Sequence, residues 1–347
     1  MKKLIAAICI AVTLIMAAAL TVILVMGING KSIFSRDNNT SNWRFGSVRI
    51  EAFNIGGNAV LVKEDSISMG DITSLELLSD MSSVYISATD GDRMTVRQYS
   101  SSSLDPDEIF DLRKDGGRGH LTVDAKRRRI RIFVFNIFSD ERIEVDIPRS
   151  WLGDVDMRGT SGGLKLRDGF EWGNISMKYS SGGITASKEL KGANISVEVT
   201  SGGVNLADNI TASGTVYIKS SSGGIKTEGI TAKSADISCS SGGITVRGAV
   251  TADEVYMKTS SGGASARLIN AGRFNIESSS GGIKIDELNG QGNVRCTSGG
   301  IRILLLNPTG NVELRASSGS IRADVPRDLR HYVSTSATSG SVTVNDR

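Results

Sequence analysis

Apolar and polar residues alternate with period two across the second half of this chain, and the alternation breaks at a recurring Ser-Gly-Gly. The tripeptide begins at Ser161, Ser181, Ser201, Ser222, Ser241, Ser261, Ser280 and Ser298, and Ser-Gly-Ser copies begin at Ser318 and Ser339. Successive spacings are 20, 20, 21, 19, 20, 19, 18, 20 and 21 residues. A fixed period of this size is the signature of stacked repeats. Counted from the serine, position −4 holds Met157, Met177, Val197, Ile218, Ile237 and Met257, and position −6 holds Val155, Ile175, Ile195 and Val216. Position +3 holds Leu164, Ile184, Val204, Ile225 and Ile244, and position +5 is apolar in most copies, as at Leu166, Leu206 and Val246. Two short strands flanking a glycine corner follow from this pattern. One repeat cannot bury its apolar face alone, whereas stacked copies form a continuous core. The expected fold is all-β: a single-stranded parallel β-solenoid (β-helix) of about ten rungs of ~20 residues. An irregular β N-terminal region and one transmembrane helix precede it.

The glycine pairs are expected to permit positive φ at the corners, and the serines to hydrogen-bond along the stack. At position −3, Lys178, Glu198 and Lys219 alternate in charge, as do Lys258, Glu277 and Arg295, and such lateral pairs are worth roughly 0.2–1 kcal/mol each. Arg295 and Arg315 then face each other as like charges.

Upstream, residues 4–26 form an apolar run behind Lys2 and Lys3, interrupted only by Thr13 and Thr21. As a helix it reaches about 35 Å and can cross a hydrocarbon core of about 30 Å. The competing reading is a signal peptide cleaved near Ala17-Ala18-Ala19, but the apolar run continues well beyond that point. The lysines orient residues 1–3 as a cytoplasmic tip, which places the C-terminal domain outside a single-pass cell membrane anchor. Residues 27–45 read as a polar tether, 46–150 as an N-terminal β-region that begins and caps the repeats, and 151–347 as the solenoid. In the middle region, strands are expected around Val84–Ser87 and Met94–Val96, either side of Asp90-Gly91-Asp92, and over His120–Val123, Arg129–Phe135 and Arg142–Ile147. Asp105-Pro106-Asp107-Glu108 has the form of a capped short helix.

Composition narrows the chemistry. Net charge is +3, which gives no reason to expect nucleic acid as a partner. The basic cluster Lys126, Arg127, Arg128, Arg129 and Arg131 is either a patch for anionic headgroups or wall polymers, or a solvated turn and strand face. Cys239 and Cys296 stand at the same repeat position three rungs apart, roughly 14 Å at the usual strand spacing, so both are expected to stay free and buried. Cys9 lies in the apolar run. Only His120 and His331 are available for histidine chemistry, and no phosphate loop or calcium-binding turn recurs. Acids at position −5, including Asp156, Asp236 and Glu313, are isolated by at least two rungs, and position +4 carries none, so no carboxylate pair of a polysaccharide-cleaving site is evident. Tyr217 and Tyr256 share position −5 two rungs apart and offer a modest contact patch. No catalytic, cofactor-binding or metal-binding residue is assigned, and no cofactor is expected.

These residues resemble the bacterial putative-adhesin family, a domain of unknown function that includes LiaG-like membrane-anchored envelope proteins. The resemblance rests on Val84-Tyr85-Ile86 with Asp90-Gly91-Asp92, on Ile143-Glu144-Val145-Asp146-Ile147-Pro148, and on the serial Ser-Ser-Gly-Gly-Ile rungs. It implies a β-solenoid outside the cell membrane and supplies no catalytic residue. The expected function is therefore a membrane-anchored, extracytoplasmic adhesin-like binding or envelope-associated module without catalytic activity. Its expected partners are the membrane, through the N-terminal helix, and a cell-envelope polymer or protein. The alternatives are a structural or regulatory scaffold that self-associates through the open end of the solenoid, and a polysaccharide-acting β-helix enzyme.

Overall fold

The computed structural model describes residues 35–36, 42–45, 48–51, 58–80, 82–102, 104–115, 117, 119–125, 130–133 and 140–347. The run 4–26 and the basic residues Lys126, Arg127, Arg128 and Arg129 lie outside these residues, and Arg131 is described only as backbone. Among the described residues no helix is long and apolar enough to cross a membrane. The chain divides into two compact units. The smaller contains a four-stranded sheet in the order Ser35–Arg36, Asn42–Phe45, Val48–Glu51, Ile130–Phe133, so two short strands fall within the segment read as a tether.

The larger unit is the solenoid. The ten expected rungs stack in parallel register: Val155 on Ile175, Ile195 on Val216, Val216 on Ala235, and so on to Val312 on Val333. The strands after the corner stack likewise from Leu164 on Ile184 to Ile321 on Val342. The inward positions −6, −4, +3 and +5 are almost all buried, including Met157, Ile218, Ile237, Ile276 and Leu314. Each fully buried Ile, Val, Leu or Met contributes roughly 1.5–3 kcal/mol. That repetition, rather than any single contact, holds the rod.

A third short strand completes each early rung, where two were expected. Phe170, Leu190, Ile210, Ile230, Val250, Ile269, Leu288 and Leu305 stack upon one another as a further inward column. All are buried. This column begins nine residues after its serine at Phe170 and ends seven after at Leu305. Counting from the serine at a fixed offset therefore scatters it across several positions.

Two more rungs come from the region read as the cap. Ser74–Ser79 lies beneath Asp154–Gly159, and Ser83–Thr89 pairs with Leu164–Leu166. Beyond them, His120–Ala125 stacks on Ser74–Ser79, and Glu141–Pro148 on Ser83–Thr89. These rungs lack Gly-Gly, which hides them from a search keyed on the tripeptide. The two strands flanking Asp90-Gly91-Asp92 are present, but they are not a hairpin: Glu141–Pro148 lies between them, parallel to one and antiparallel to the other. Arg93–Ser100 and Val60–Ser68 then cover that sheet in antiparallel fashion, and Asp111–Asp115 covers the other. Arg97 fastens this end by reaching Asp146 at 2.5 Å and Glu64 at 2.6 Å. Pro106–Glu108 is a short 3-10 helix; the Asp105 amide donates to the Glu108 carboxylate at 2.9 Å, as a capping box requires.

The corner works differently from the expectation. Only Gly162, Gly182 and Gly340 among the first glycines have positive φ. At the others the reason for glycine is the neighbouring rung: a Cβ on Gly223 would lie 2.1 Å from the Gly202 carbonyl oxygen, and one on Gly262 would lie 2.2 Å from that of Gly242. A Cβ on the second glycine is less crowded, from 2.9 Å at Gly263 to 3.4 Å from the next rung at Gly224. Ser320 and Ser341 occupy that second place in the last two copies. The repeat serines are exposed at Ser181, Ser201, Ser222, Ser241, Ser261, Ser280 and Ser298, and it is their backbone that joins the ladder, as in Ser241 N donating to Ser221 O at 3.0 Å. The side-chain bonding falls to buried position −2. Ser220 Oγ donates to the Gly223 carbonyl at 2.7 Å, and Cys239 Sγ reaches the same carbonyl at 3.0 Å. Cys296 repeats the contact on Gly281 at 3.1 Å.

Candidate functional site

The strands before the corner carry an outward column at position −5, which on five successive rungs reads Tyr217, Asp236, Tyr256, Asn275, Asn293. Parallel stacking in register places each of these side chains on its neighbour, about 4.8 Å away. Asp236 therefore lies between the two tyrosines. Beside this column, position −7 contributes Glu254, Arg273, Gln291 and Asn311.

Here the rungs shorten to 19 and 18 residues. The chain absorbs the loss by a register shift between Asn270 and Arg273. Gly290 and Gly292 take φ of 114° and 148°. A Cβ at Gly292 would stand 1.9 Å from the Phe274 carbonyl oxygen. An apolar inward position thus becomes bare backbone, and the outer face sinks beside it. Two adjoining hollows result. One of about 540 Å³ is lined by Asp236, Glu254, Tyr256, Arg273, Asn275 and Gln291 among others, and one of about 300 Å³ by Asn275, Glu277, Asn293, Arg295, Glu313 and Arg315. They share Asn275 and Asn293 and form one groove along the stack.

Asp236 Oδ1 is buried without a hydrogen-bond partner. Burial pushes the carboxyl above its ordinary range, and Lys219 on the adjacent rung opposes this only in part. Among the described residues, the side-chain amides of Gln291, Asn293 and Asn311 make no hydrogen bond within the chain either. Elsewhere in the groove several polar groups are occupied, though among the described residues Arg295 has no ion pair. Asn275 donates to Glu277 at 3.0 Å, which together with Lys258 at 3.2 Å holds the Glu277 carboxyl below its ordinary range. Glu254 and Arg273 approach to 3.9 Å. Acids and bases nearly balance across the two hollows.

By contrast, among the described residues the hollow of about 550 Å³ where the chain crosses from Pro148 to Asp154 has no buried side-chain polar atom left unpaired. Trp151 Nε1 donates to Ile72 O at 2.6 Å, and Asp154 accepts from the Asn174 amide at 2.6 Å. A column of one sign runs up the strands after the corner, where Lys284, Arg302 and Arg322 face one another on three consecutive rungs.

The architecture and its repeats agree with one family. The Toastrack DUF4097 family model matches residues 72–276 and again 210–346. The chain belongs to the Toastrack DUF4097 family. The overlap of the two matches reflects the likeness of successive Toastrack rungs, and the family agrees with the resemblance read from the sequence. Solved structures with some likeness include a "putative adhesin" from Bacteroides fragilis, 11% identical with a TM-score of 0.30, covering 83% of this chain and 97% of its own. A "putative lipid binding protein" from Parabacteroides distasonis is 16% identical with a TM-score of 0.32, covering 84% of this chain and 98% of its own. No residue is carried across from such loose likenesses. No curated protein matches.

Other residues singled out in the sequence are dispersed over this Toastrack solenoid. His120 accepts or donates with Ser74 Oγ at 2.8 Å on the outermost rung, and the His331 ring lies tilted against Tyr332 near the last rung. Cys239 and Cys296 are free and buried. Lys178 meets Glu198 at 3.4 Å and Lys258 meets Glu277 at 3.2 Å, as the charge alternation implies. Arg315 faces Arg295 but turns to Glu313. Asp236 and Glu254, separate columns in the sequence, line one hollow. What the sequence reading missed is the flanking column Arg273, Gln291 and Asn311; its signal is the pair of shortened spacings.

Proposed function

We propose that this Toastrack chain is a binding module without catalytic activity. Residues 4–26 hold it on the cell membrane, the solenoid stands on the outer side, and the groove along position −5 takes a cell-envelope ligand. The observation that supports this reading is the set of unspent polar groups along one hollow: the buried Asp236 oxygen and, three rungs on, the amides of the half-buried Gln291 and the exposed Asn293. A buried polar group is ordinarily satisfied, so one left open at a concave surface lined by further free polar groups supports a ligand site. Catalysis is disfavoured because Glu254, the acid nearest Asp236 in the groove, is 65% exposed and 3.9 Å from Arg273, which suits neither a general acid nor a nucleophile. The test is retention of the full-length chain in detergent on envelope fractions. The wild type is expected to retain one component, and Asp236→Ala and Asn293→Ala to lose it; equal retention by all three refutes the site.

A second reading is a scaffold. Among the described residues Val342–Asp346 pairs on one side only, with Ile321–Val325, and Val342 is 42% exposed. Such an edge accepts another strand. A concentration-independent monomer in sedimentation experiments refutes self-association by this route.

A further inference from the structure

The groove also specifies the chemistry of its ligand. We propose that it binds an extended, uncharged polysaccharide laid along the stack, with one sugar facing each rung; this rests on the reading of the groove as the binding site.

Shape comes first. The column Tyr217, Asp236, Tyr256, Asn275, Asn293 crosses five rungs. At the usual strand spacing it is about 19 Å long, far more than one small molecule needs. A ligand that uses all of it must be a chain with its own repeat. Extended β-1,4-linked hexopyranose chains advance by nearly one rung per sugar and flip at each link, so equivalent hydroxyls return on the same side every second rung, the separation of Tyr217 and Tyr256.

The donors and acceptors come next. Gln291, Asn293 and Asn311 each present an amide with both donor and acceptor capacity, which matches adjacent hydroxyls on a sugar ring. Asp236 Oδ1 has an open acceptor site and no donor aimed at it; a hydroxyl supplies the missing proton. The half-buried Tyr217 and Tyr256, above and below Asp236, supply the apolar surface on which a pyranose ring rests.

Charge disfavours the anionic wall polymers. A chain of phosphates or carboxylates would set anions against Asp236 and Glu254, while Arg273, Lys258 and Arg315 face Glu254, Glu277 and Glu313, which leaves Arg295 and Lys219, among the described residues here, as the bases without an ion pair. An extended peptide would find no strand edge here, because both edges of these strands are paired within the stack.

The experiment is titration calorimetry on the full-length chain in detergent with uncharged hexasaccharides of glucose and of N-acetylglucosamine. Polygalacturonate and polyglycerol phosphate serve as anionic probes. An uncharged hexasaccharide is expected to bind, with affinity rising as sugars are added until the five rungs are matched. Tyr256→Ala and Asn293→Ala should each lower affinity about tenfold or more without moving the melting temperature. If no uncharged oligosaccharide binds while envelope retention still depends on Asp236 and Asn293, the ligand class is wrong and the site stands. If oligosaccharides bind but both variants bind them as wild type does, the site itself is wrong. Tighter binding of an anionic probe through the same residues also overturns the proposal.

Discussion

The corner makes a prediction that separates two adjacent residues of identical type. Gly223 and Gly224 are consecutive, neither has positive φ, and both sit in the same corner. Backbone strain therefore does not distinguish them; stacking does. A methyl on Gly223 would meet the Gly202 carbonyl oxygen at 2.1 Å, its carbon at 2.3 Å and the Gly203 nitrogen at 2.5 Å. These are backbone atoms of the adjoining rung and cannot rotate away. Relief requires the two rungs to separate by about 1 Å, which overpacks or opens the corner at roughly 1–3 kcal/mol. It also stretches the bonds from Ser221 N to Val199 O and from Ser222 N to Thr200 O, each 3.0 Å long and each worth about 0.5–1.5 kcal/mol. Gly223→Ala should thus cost about 2–6 kcal/mol. A methyl on Gly224 meets its nearest atom at 3.4 Å, an ordinary contact. There the loss of unfolded-state freedom dominates, and Gly224→Ala should be neutral or stabilise by up to about 1 kcal/mol. Urea unfolding followed by circular dichroism, with the slope compared across variants, measures both. Equal destabilisation by the two substitutions, or tolerance of Gly223→Ala, refutes the claim that rung-to-rung contact demands the first glycine.

Four further outcomes rest on single contacts. Tyr179 is 1% exposed, its hydroxyl has no partner, and burial raises its pKa; Tyr179→Phe should stabilise the fold by about 1 kcal/mol in thermal melts, and a drop in melting temperature would reveal a hidden partner. Burial likewise pushes the thiols of Cys239 and Cys296 up, so in a Cys9→Ser background a disulfide reagent should label neither until urea unfolds the chain; rapid labelling of the native state refutes their burial. Arg302 stacks between Lys284 and Arg322, and Arg302→Glu should stabilise by about 0.5 kcal/mol at low salt, an effect that 1 M salt should largely abolish. Because burial raises the Asp236 carboxyl in the folded state, its ionised form opposes folding above that raised value. Asp236→Asn should therefore raise the melting temperature at neutral pH, and the gain should shrink as pH falls through the raised value towards the ordinary carboxylate range; a gain that persists unchanged at low pH refutes the assignment.

Much of the solenoid was legible because the stacking constraint writes itself into the sequence at fixed offsets. Met157, Met177 and Val197 lie four before their serines and touch in space because each rung repeats the path of the last. Where the offset drifts, legibility fails. Phe170 and Leu305 belong to one column, yet their offsets differ by two residues, since the outward corner between them varies in length. The rung Ser74–Thr89 was hidden for another reason: Asp80 to Ser83 stands where Thr160 to Gly163 stands one rung on, without a glycine. The smaller hydroxyl and thiol side chains of Ser220, Cys239, Ser278 and Cys296 were readable as a column, but their bonds to glycine carbonyls depend on how the corner closes.

The groove shows the same division of labour on the outer face. Inward positions admit little variation, since a change in any rung is felt by the rungs on both sides. Outward positions carry no such constraint, and each rung can present a different side chain at a nearly fixed spacing. A Toastrack surface is therefore specified vertically, by the succession of side chains at one position from rung to rung, and not by any motif along the chain. Tyr217, Asp236 and Tyr256 are roughly twenty residues apart in sequence yet adjacent in space. Asp236 alone would be an ordinary surface acid. Between two tyrosines, its Oδ1 loses solvent and gains no protein partner. The unspent bond is a consequence of the stack, and it is the feature on which the proposed binding site rests.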